Sequence, residues 1–449
     1  MRNRLHNTEV ATDFLPRSQL KEYHQNALAI LWRASCGHPS LISRITPEER
    51  AQLYNNDTLD QAWENITCGE SYDQTAAIQN ARHCRASRFG NQNGLIVFST
   101  SGSSGAPKML INSYDEVTNN AAMHGKGYAA CGISAADTTV ILGEVGRFAA
   151  EYAVIHALSV TGCTIVPIVD RSRVCENLDI MHEMNATVWL AMQSEMFPYL
   201  DALERGLQRK PKLRLIVTGG EPIAAQTRQR LREIFGHSLE IRSTFQTADT
   251  GTIGYQCAEC ADSEFHVHEE LQYVEIVDDD GRPTSDYGHL VVTNLYRYFS
   301  PIIRIKTGDI ARWCDQGERC ACGRTARRIH LRERVGRQYK IGGEKVPFKV
   351  LEDLAKSAGP IGSGVKVIIT RTDTGMDQLR VQFPICEEKN DDKISSVKKA
   401  FEDCTALSHL VTNRRIDDLV VEHVNDSDPN YLGFNKIQMV IDTRNRENS

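Results

Sequence analysis

Four stretches of the chain carry residues whose types and spacing suit chemistry. The first is FSTSGSSGAPKMLI, residues 98–111, with Ser99, Thr100, Ser101, Gly102, Ser103, Ser104 and Gly105 running into Ala-Pro-Lys108. Small residues let the backbone bend so that successive N–H groups point at an anion, and a lysine adds positive charge. The spacing is not the G-x-x-x-x-G-K-Ser/Thr phosphate loop, because Pro107 precedes the lysine and Met109 follows it. Taken alone, the stretch reads equally well as a Gly/Ser linker.

The second stretch, LIVTGGEPI, ends an apolar run in Gly219, Gly220, Glu221 and Pro222. A Gly-Gly turn at a strand end exposes backbone to which a planar ligand such as adenine can approach. The third, STFQTADTGTIGYQC, places Asp249 among small residues after a strand, where a carboxylate can hold Mg²⁺. The fourth, YRYFSPIIRIKTGDIARW, puts Asp309 after a Thr-Gly turn, suited to accepting hydrogen bonds from ribose hydroxyls. An ordinary strand-to-helix turn is the competing reading for the second stretch, and a structural turn aspartate for the fourth.

The elements that must position these residues follow from periodicity. With 449 residues, 41% hydrophobic and 24% charged, the chain is long enough for two or three domains with a large core. Residues 1 to about 90 have a helical pattern, clearest in QLKEYHQNALAILWRAS, and Thr46-Pro47 with Glu49 marks a helix start. From Gly94 apolar strands alternate with helices, which predicts α/β layers; after residue 264 the pattern turns β-rich. DDDGRP reads as a hairpin turn. The polar stretch 330–346 is the best candidate linker, followed by a small α+β unit. The expected domains are therefore 1–335, with a helical segment 1–90 and a core 91–335, and 336–449.

A net charge of −6 argues against non-specific nucleic-acid binding. No run is apolar enough to span a membrane and the N-terminus lacks an apolar leader core, so a cytoplasmic protein is expected. Of 13 cysteines, eight are scattered singly and are expected as buried small hydrophobes. Cys257, Cys260, Cys314, Cys320 and Cys322 crowd into one region, which suggests a metal site rather than disulfides.

In order, the four stretches resemble the core motifs of the adenylate-forming superfamily: acyl- and aryl-CoA ligases, peptide-synthetase adenylation domains and luciferase. TSGSSGAPK is similar to its TSG-S/T-S/T-G-x-PK loop, GGEP to its adenine-side turn, FQTAD to its Y-G-x-S/T-E motif and TGD to its ribose aspartate. GRQYKIGGEKV, containing Arg337, resembles the hinge segment, and LGFNKIQMVIDTR the stretch with the adenylation lysine, here Lys436. SPIIRIKTGD and CACGRTARR bring the chain nearest to the phenylacetate-CoA ligase branch, some of whose members carry a structural zinc. The local chemistry suits zinc: Cys320 and Cys322 lie on one side and Cys257 or Cys260, with His266, on the other, and two cysteines from each side, or three cysteines and the histidine, would complete a tetrahedron. His268 should face away from them, and Cys314 reads as plain core.

The resemblance implies a large N-terminal domain of layered sheets and helices and a small α+β C-terminal domain that moves between half-reactions. It implies ATP-dependent conversion of a carboxylic acid, with an aromatic one expected, to an acyl-adenylate, then transfer to CoA. Lys436 would contact the carboxylate and α-phosphate, residues 99–108 the β- and γ-phosphates, Asp249 Mg²⁺ and Asp309 the ribose. Gly219, Gly220, Glu221, Pro222, Phe245, Gln246, Thr247, Ala248 and Arg337 would complete the ATP site. Arg147 and Phe148, in GEVGRFAAEYAVIHAL, with Thr244 and Gly251, would line the acid pocket. Phe245, Gln246 and Asp249 replace the family's tyrosine, glycine and glutamate. Gln338 and Tyr339 stand where the hinge aspartate is usual, and Asn435 where a glycine usually precedes the lysine. The altered hinge opens the alternative that the acid passes to an amine or a carrier protein. The chain is expected to act as a stand-alone enzyme, with a homodimer allowed, and neither nucleic acid nor membrane as partner. A non-catalytic nucleotide binder is disfavoured because Lys108, Asp309 and Lys436 are all present.

Overall fold

The computed structural model describes residues 12–35, 41, 44–54, 59–69, 94–99, 109–142, 149–168, 173–206, 208–220, 223, 225–298, 300–314, 319–332, 338–341, 344–357, 365–372, 376–384, 391–412, 416–424 and 440–442. The chain divides into two compact units, one within residues 1–333 and the other from residue 334 onward.

In the first unit a hairpin, β1 (Leu95–Ser99) and β2 (Met109–Ser113), stands beside an eleven-stranded sheet. The strands of that sheet are β3 (Thr138–Leu142), β4 (Thr164–Ile168), β5 (Val188–Ala191), β6 (Leu215–Gly219), β7 (Glu240–Thr247), β8 (Gly251–Tyr255), β9 (Glu264–Val267), β10 (Gln272–Val277), β11 (Gly288–Asn294), β12 (Ile305–Trp313) and β13 (Arg328–Arg332), in the order β10-β11-β12-β13-β9-β8-β7-β6-β5-β3-β4. From β4 to β7 the pairings are parallel, and from β7 to β10 they are antiparallel.

The parallel half shows why its strands read as unbroken apolar runs. Every residue of β5 is buried, because helices cover both faces. Side chains alternate across the sheet: Trp189 packs with Leu178, Met196 and Leu231 on one face, and Val188 and Leu190 with Ala121, Val154 and Leu158 on the other. Helix Tyr114–Ala130 starts at Ser113 with a reciprocal capping box to Glu116. At the amino ends of the strands Asp137 accepts from Arg214 Nε (2.8 Å) and Nη2 (2.6 Å) and from Thr187 Oγ1 (2.9 Å), which ties β3, β5 and β6 together.

The N-terminal helices Arg17–Ser35, Pro47–Gln52 and Leu59–Asn65 pack their own core onto Leu295 and Ile303 of the antiparallel half. The start expected at Thr46 is present as a capping box with Glu49.

In the second unit β16 (Lys366–Arg371) and β17 (Asp377–Pro384) form the centre of a four-stranded sheet, flanked by β19 (Val440–Asp442) and β18 (Val420–Val424). Its helices Phe348–Lys356, Asp391–Asp403 and Thr405–Thr412 share a core with the sheet.

Two sequence expectations fail. The 330–346 stretch is not a linker over its described residues. His330–Arg332 end β13, while Gln338–Ile341 (β14) and Glu344–Pro347 (β15) pair as a hairpin whose Ile341 and Val346 are buried. A few alternating apolar residues suffice for a hairpin once a core receives them. The scattered cysteines are also not uniformly core: Cys131 and Cys163 are buried, but Cys175 is exposed and Cys68 and Cys404 are half-buried, as is Cys314 at the end of β12. Cys36, Cys84 and Cys386 lie outside the described residues.

Candidate active site and metal centre

The parallel strands end their carboxyl termini beside the β7–β8 hairpin, the position where open α/β sheets take ligands. Gly219 and Thr244 are register partners there. A Cβ on Gly219 would lie 2.8 Å from Thr244 Oγ1, so a side chain could enter only by moving the hydroxyl. Gly220 follows with φ +80°, a conformation that favours glycine. Both glycines of the sequence motif therefore have a backbone reason. The ring of Phe245 packs 5.7 Å from that of Phe265.

Asp249 sits half-buried in the turn between β7 and β8. Thr247 Oγ1 lies 2.8 Å from Thr250 Oγ1 and accepts from Thr250 N at 3.1 Å, which closes the turn. Beneath it is a layer that the sequence reading missed. Gln272 Nε2 donates to Thr250 O (3.1 Å) and Thr252 O (2.6 Å), Asn294 Nδ2 to Thr250 O (3.0 Å), and Arg297 Nη1 to Asp249 O (2.7 Å). Asn120 Oδ1 accepts from Thr252 N at 2.9 Å. Buried amides of this kind survive only when hydrogen-bonded, and here they fix the hairpin's main chain. The available signal was Gln272 and Asn294 standing inside apolar strand runs.

Asp309 is buried at a bulge in β12. His289 pairs with Ile310 and Val291 with Lys306, so Leu290 faces Thr307, Gly308 and Asp309 together. Thr307 Oγ1 donates to Leu290 O at 3.3 Å and accepts from Asp309 N at 3.2 Å, and Gly308 takes φ +81°. Such bulges re-aim a side chain relative to the strand.

The two ends of the 98–111 stretch are paired: Ser99 and Met109 are register partners of β1 and β2. Thr100–Lys108, Arg147, Phe148, Glu221, Pro222, Arg337, Asn435 and Lys436 lie outside the described residues, as does the Ser99 side chain.

Cys257, His266, Cys320 and Cys322 converge, with their donor atoms all within 4.8 Å of one another. His266 Nε2 is 3.5 Å from both Cys257 Sγ and Cys322 Sγ, and Cys257 Sγ is 3.9 Å from Cys320 Sγ. Tetrahedral zinc with Zn–S near 2.3 Å spaces its sulfurs about 3.8 Å apart. His266 Nδ1 lies 2.8 Å from Ala326 O, which fixes the proton there and leaves the Nε2 lone pair for a cation. Burial pushes the Cys320 thiol up to about 11, so a neighbouring cation is what would make it a thiolate. The donor set thus fits zinc. Cys260 Sγ lies 3.6 Å from Cys257 Sγ but outside the four-donor group, and His268 packs against Tyr255 instead, 4.7 Å between rings.

The sequence profile described as AMP-binding enzyme matches residues 5–294. The chain belongs to the AMP-binding enzyme family. The matched range includes Gly219, Gly220, Asp249, Cys257 and His266 and stops before Asp309, Cys320, Cys322 and Lys436. Among curated members, the chain is similar to the phenylacetate-coenzyme A ligase of Pseudomonas putida, 23% identical over 219 residues, 47% of this chain and 49% of that protein. The Aromatoleum evansii phenylacetate-coenzyme A ligase is 24% identical over 222 residues, 48% and 50% of the two chains. The chain thus spans about half the length of the curated relatives it matches.

The AMP-binding fold extends further than the sequence match. A crystal structure of 2-hydroxyisobutyryl-CoA ligase in the postadenylation state with 2-HIB-AMP has a TM-score of 0.67 at 17% identity, covering 99% of this chain and 95% of that one. The same ligase with 2-HIB-AMP and CoA in the thioesterification state gives 0.61 at 18% identity, covering 96% and 91%. Among the described residues no helix is long and apolar enough to cross a membrane.

Proposed function

We propose that this AMP-binding enzyme activates a carboxylic acid with ATP and transfers the acyl group to CoA. The observation that carries the reading is the arrangement at the carboxyl ends of the parallel strands. The Gly219-Gly220 turn, Thr244 and the braced Asp249 turn share one edge there, in a chain of this family.

In the first half-reaction an oxygen of the acid attacks the α-phosphorus of ATP. The bond to the β-phosphate breaks, and acyl-adenylate and pyrophosphate form. The Gly219-Gly220 backbone gives room for the adenine, Asp309 accepts from the ribose, and the hydroxyls and backbone of residues 99–108 with Lys108 hold the leaving phosphates. Lys436 neutralises charge on the carboxylate and the α-phosphate, the largest catalytic requirement of such a step. Mg²⁺, held at Asp249, would supply charge stabilisation on the phosphate oxygens. Asp249 is one methylene shorter than the family's glutamate, and the Arg297 and Thr250 contacts set the backbone that must bring it forward. In the second half-reaction the CoA thiolate attacks the adenylate carbonyl and AMP leaves, with residues 336–449 as the mobile domain carrying Lys436. A zinc held by Cys257, His266, Cys320 and Cys322 would be structural in this reading, since the protein would fill all four ligand positions.

The acid is proposed to be aromatic, in line with the phenylacetate-coenzyme A ligases it resembles. The absence of the hinge aspartate at Gln338 keeps transfer to an amine or carrier protein as the second reading. Exchange of labelled pyrophosphate into ATP across a panel of carboxylic acids tests the first half-reaction. Lys436→Ala is expected to lower exchange at least 100-fold, and undiminished exchange would remove Lys436 from the mechanism. Mass spectrometry of products with and without CoA separates thioester formation from the amine reading.

A further inference from the structure

Arg297 follows β11 and is 5% exposed, yet among the described residues no carboxylate forms an ion pair with it. Among the described residues its hydrogen bonds go only to carbonyl oxygens: Nη1 to Asp249 O at 2.7 Å and Nη2 to Ile111 O at 3.5 Å. Its Nε is buried with no partner among those residues. Burying a cation without a counter-ion is costly, and two carbonyl dipoles only partly offset it. Such a charge is tolerated where an anionic ligand completes its surroundings.

The two carbonyls belong to functionally distinct pieces of chain. Asp249 is the candidate Mg²⁺ carboxylate, held in the β7–β8 turn. Ile111 lies in β2, which leads out of the 99–108 loop and pairs with the strand leading into it. The guanidinium therefore spans the root of the phosphate loop and the metal-side turn, and its planar fork can hold both at a fixed separation.

We propose that Arg297 is a positioning residue for the nucleotide: it sets the Asp249 turn against the root of the 99–108 loop and supplies the standing positive charge that the Mg²⁺-triphosphate neutralises. The inference rests on the adenylating function proposed above. It assigns a part to Arg297, which stands in the fourth stretch twelve residues before Asp309, and it predicts two separable effects. Removing the charge weakens binding of the phosphates and leaves adenine binding alone. Keeping the charge while removing the fork leaves binding and slows the reaction.

The experiment is calorimetric titration of the full-length wild-type protein, Arg297→Met and Arg297→Lys with MgATP and with adenosine, beside acid-dependent pyrophosphate exchange and thermal unfolding. For Arg297→Met, MgATP affinity is expected to fall at least tenfold while adenosine affinity stays within about twofold. For Arg297→Lys, MgATP affinity is expected within about threefold and the exchange kcat at least tenfold lower, because one ammonium cannot reproduce the fork. If MgATP binds Arg297→Met as it binds wild type, or if ATP and adenosine weaken equally, the charge role is overturned. An unchanged kcat in Arg297→Lys overturns the positioning role. If Arg297→Met does not fold, Arg297→Gln replaces it with the same two expected affinities. A wild-type protein that binds neither MgATP nor adenosine defeats the nucleotide reading itself, an outcome distinct from loss of the Arg297 inference alone.

Discussion

Asn120 Oδ1 occupies the space into which a side chain at Gly251 would grow: a Cβ there would stand 2.3 Å from it. Gly251 also takes φ +75°, and Asn120 uses the same oxygen to accept from Thr252 N. The start of β8, and with it the Asp249 turn, is thus set by helix Tyr114–Ala130.

Gly251→Ala is therefore expected to be costly twice, through the left-handed backbone and through displacement of Asn120. Together these amount to about 2–4 kcal/mol. Denaturant unfolding should show that loss. Asn120→Ala removes the obstruction as well as the hydrogen bond, so the Gly251→Ala/Asn120→Ala double variant should lose less than the sum of the single ones. Strict additivity would show that the two residues do not interact.

The metal centre predicts a bound ion and a mechanical consequence. Purified protein is expected to hold about one equivalent of zinc, and Cys322→Ser to lose most of it by elemental analysis, since one of four ligands is gone. Equal zinc in both would reject the site. The loop that supplies Cys320 and Cys322 continues into Thr325, whose N donates to Asp13 O at 2.6 Å and whose Oγ1 donates to Leu15 O at 2.7 Å. Chelation should then expose the chain before helix Arg17–Ser35 to proteases, while the parallel half stays protected.

Acid should destabilise the first unit in two windows. Burial alone pushes His124 down to about 4 from 6.5, so the native state keeps it neutral while the unfolded chain takes up a proton below pH 6.5. Stability is full above 6.5 and falls toward pH 4, by about 3 kcal/mol for this group. Asp137 moves the other way within its own range: burial raises it, but hydrogen bonds from Arg214, Ser134 and Thr187 outweigh that and hold it at about 2. Its contribution, about 2 kcal/mol, is present above pH 3.8 and is lost as pH falls through 2. Urea midpoints measured from pH 8 to pH 3 should drop first between 6.5 and 4, and His124→Gln should shrink that first step without abolishing it, because burial also holds the His24 and His268 imidazoles below their usual range. A flat wild-type profile over the same range would contradict the buried neutral histidine.

Arg304 offers a separate test of how the N-terminal helices are held. It is 1% exposed, pairs with Glu275 Oε1 at 3.0 Å, and donates through Nη1 to Ile66 O at 2.6 Å and to Glu64 O, where helix Leu59–Asn65 ends. A cation at a helix carboxyl end satisfies carbonyls that the helix leaves open. Arg304→Met leaves Glu275 buried without its partner, and the loss is expected at about 3–5 kcal/mol. Arg304→Met with Glu275→Leu should recover part of it in thermal unfolding; no recovery would mean that the helix contacts, not the ion pair, dominate.

Much of the layout of the proposed site was legible in the chain order. Gly219, Gly220, Asp249 and Asp309 announced themselves because turns at strand ends need glycine and leave short polar residues where ligands arrive. The four candidate metal donors were legible because thiols crowd so rarely in sequence. The strand-helix alternation from Gly94 onward gave the layered half of the fold, since buried parallel strands must be apolar on both faces.

The tertiary structure decided what no linear pattern encodes. Gln272, Asn294, Asn120 and Arg297 come from separate elements and meet beneath the Asp249 turn only when the antiparallel half folds back on helix Tyr114–Ala130. Each is a polar residue in an apolar context, and sequence alone does not say which backbone group will satisfy it. The 338–347 hairpin is likewise a product of packing: its weak alternation becomes a pair of strands because Ile341 and Val346 find a core. Sequence therefore pointed to the residues proposed to carry the chemistry. Packing determined which others hold them, because hydrogen-bond partners distant in sequence are chosen by the fold.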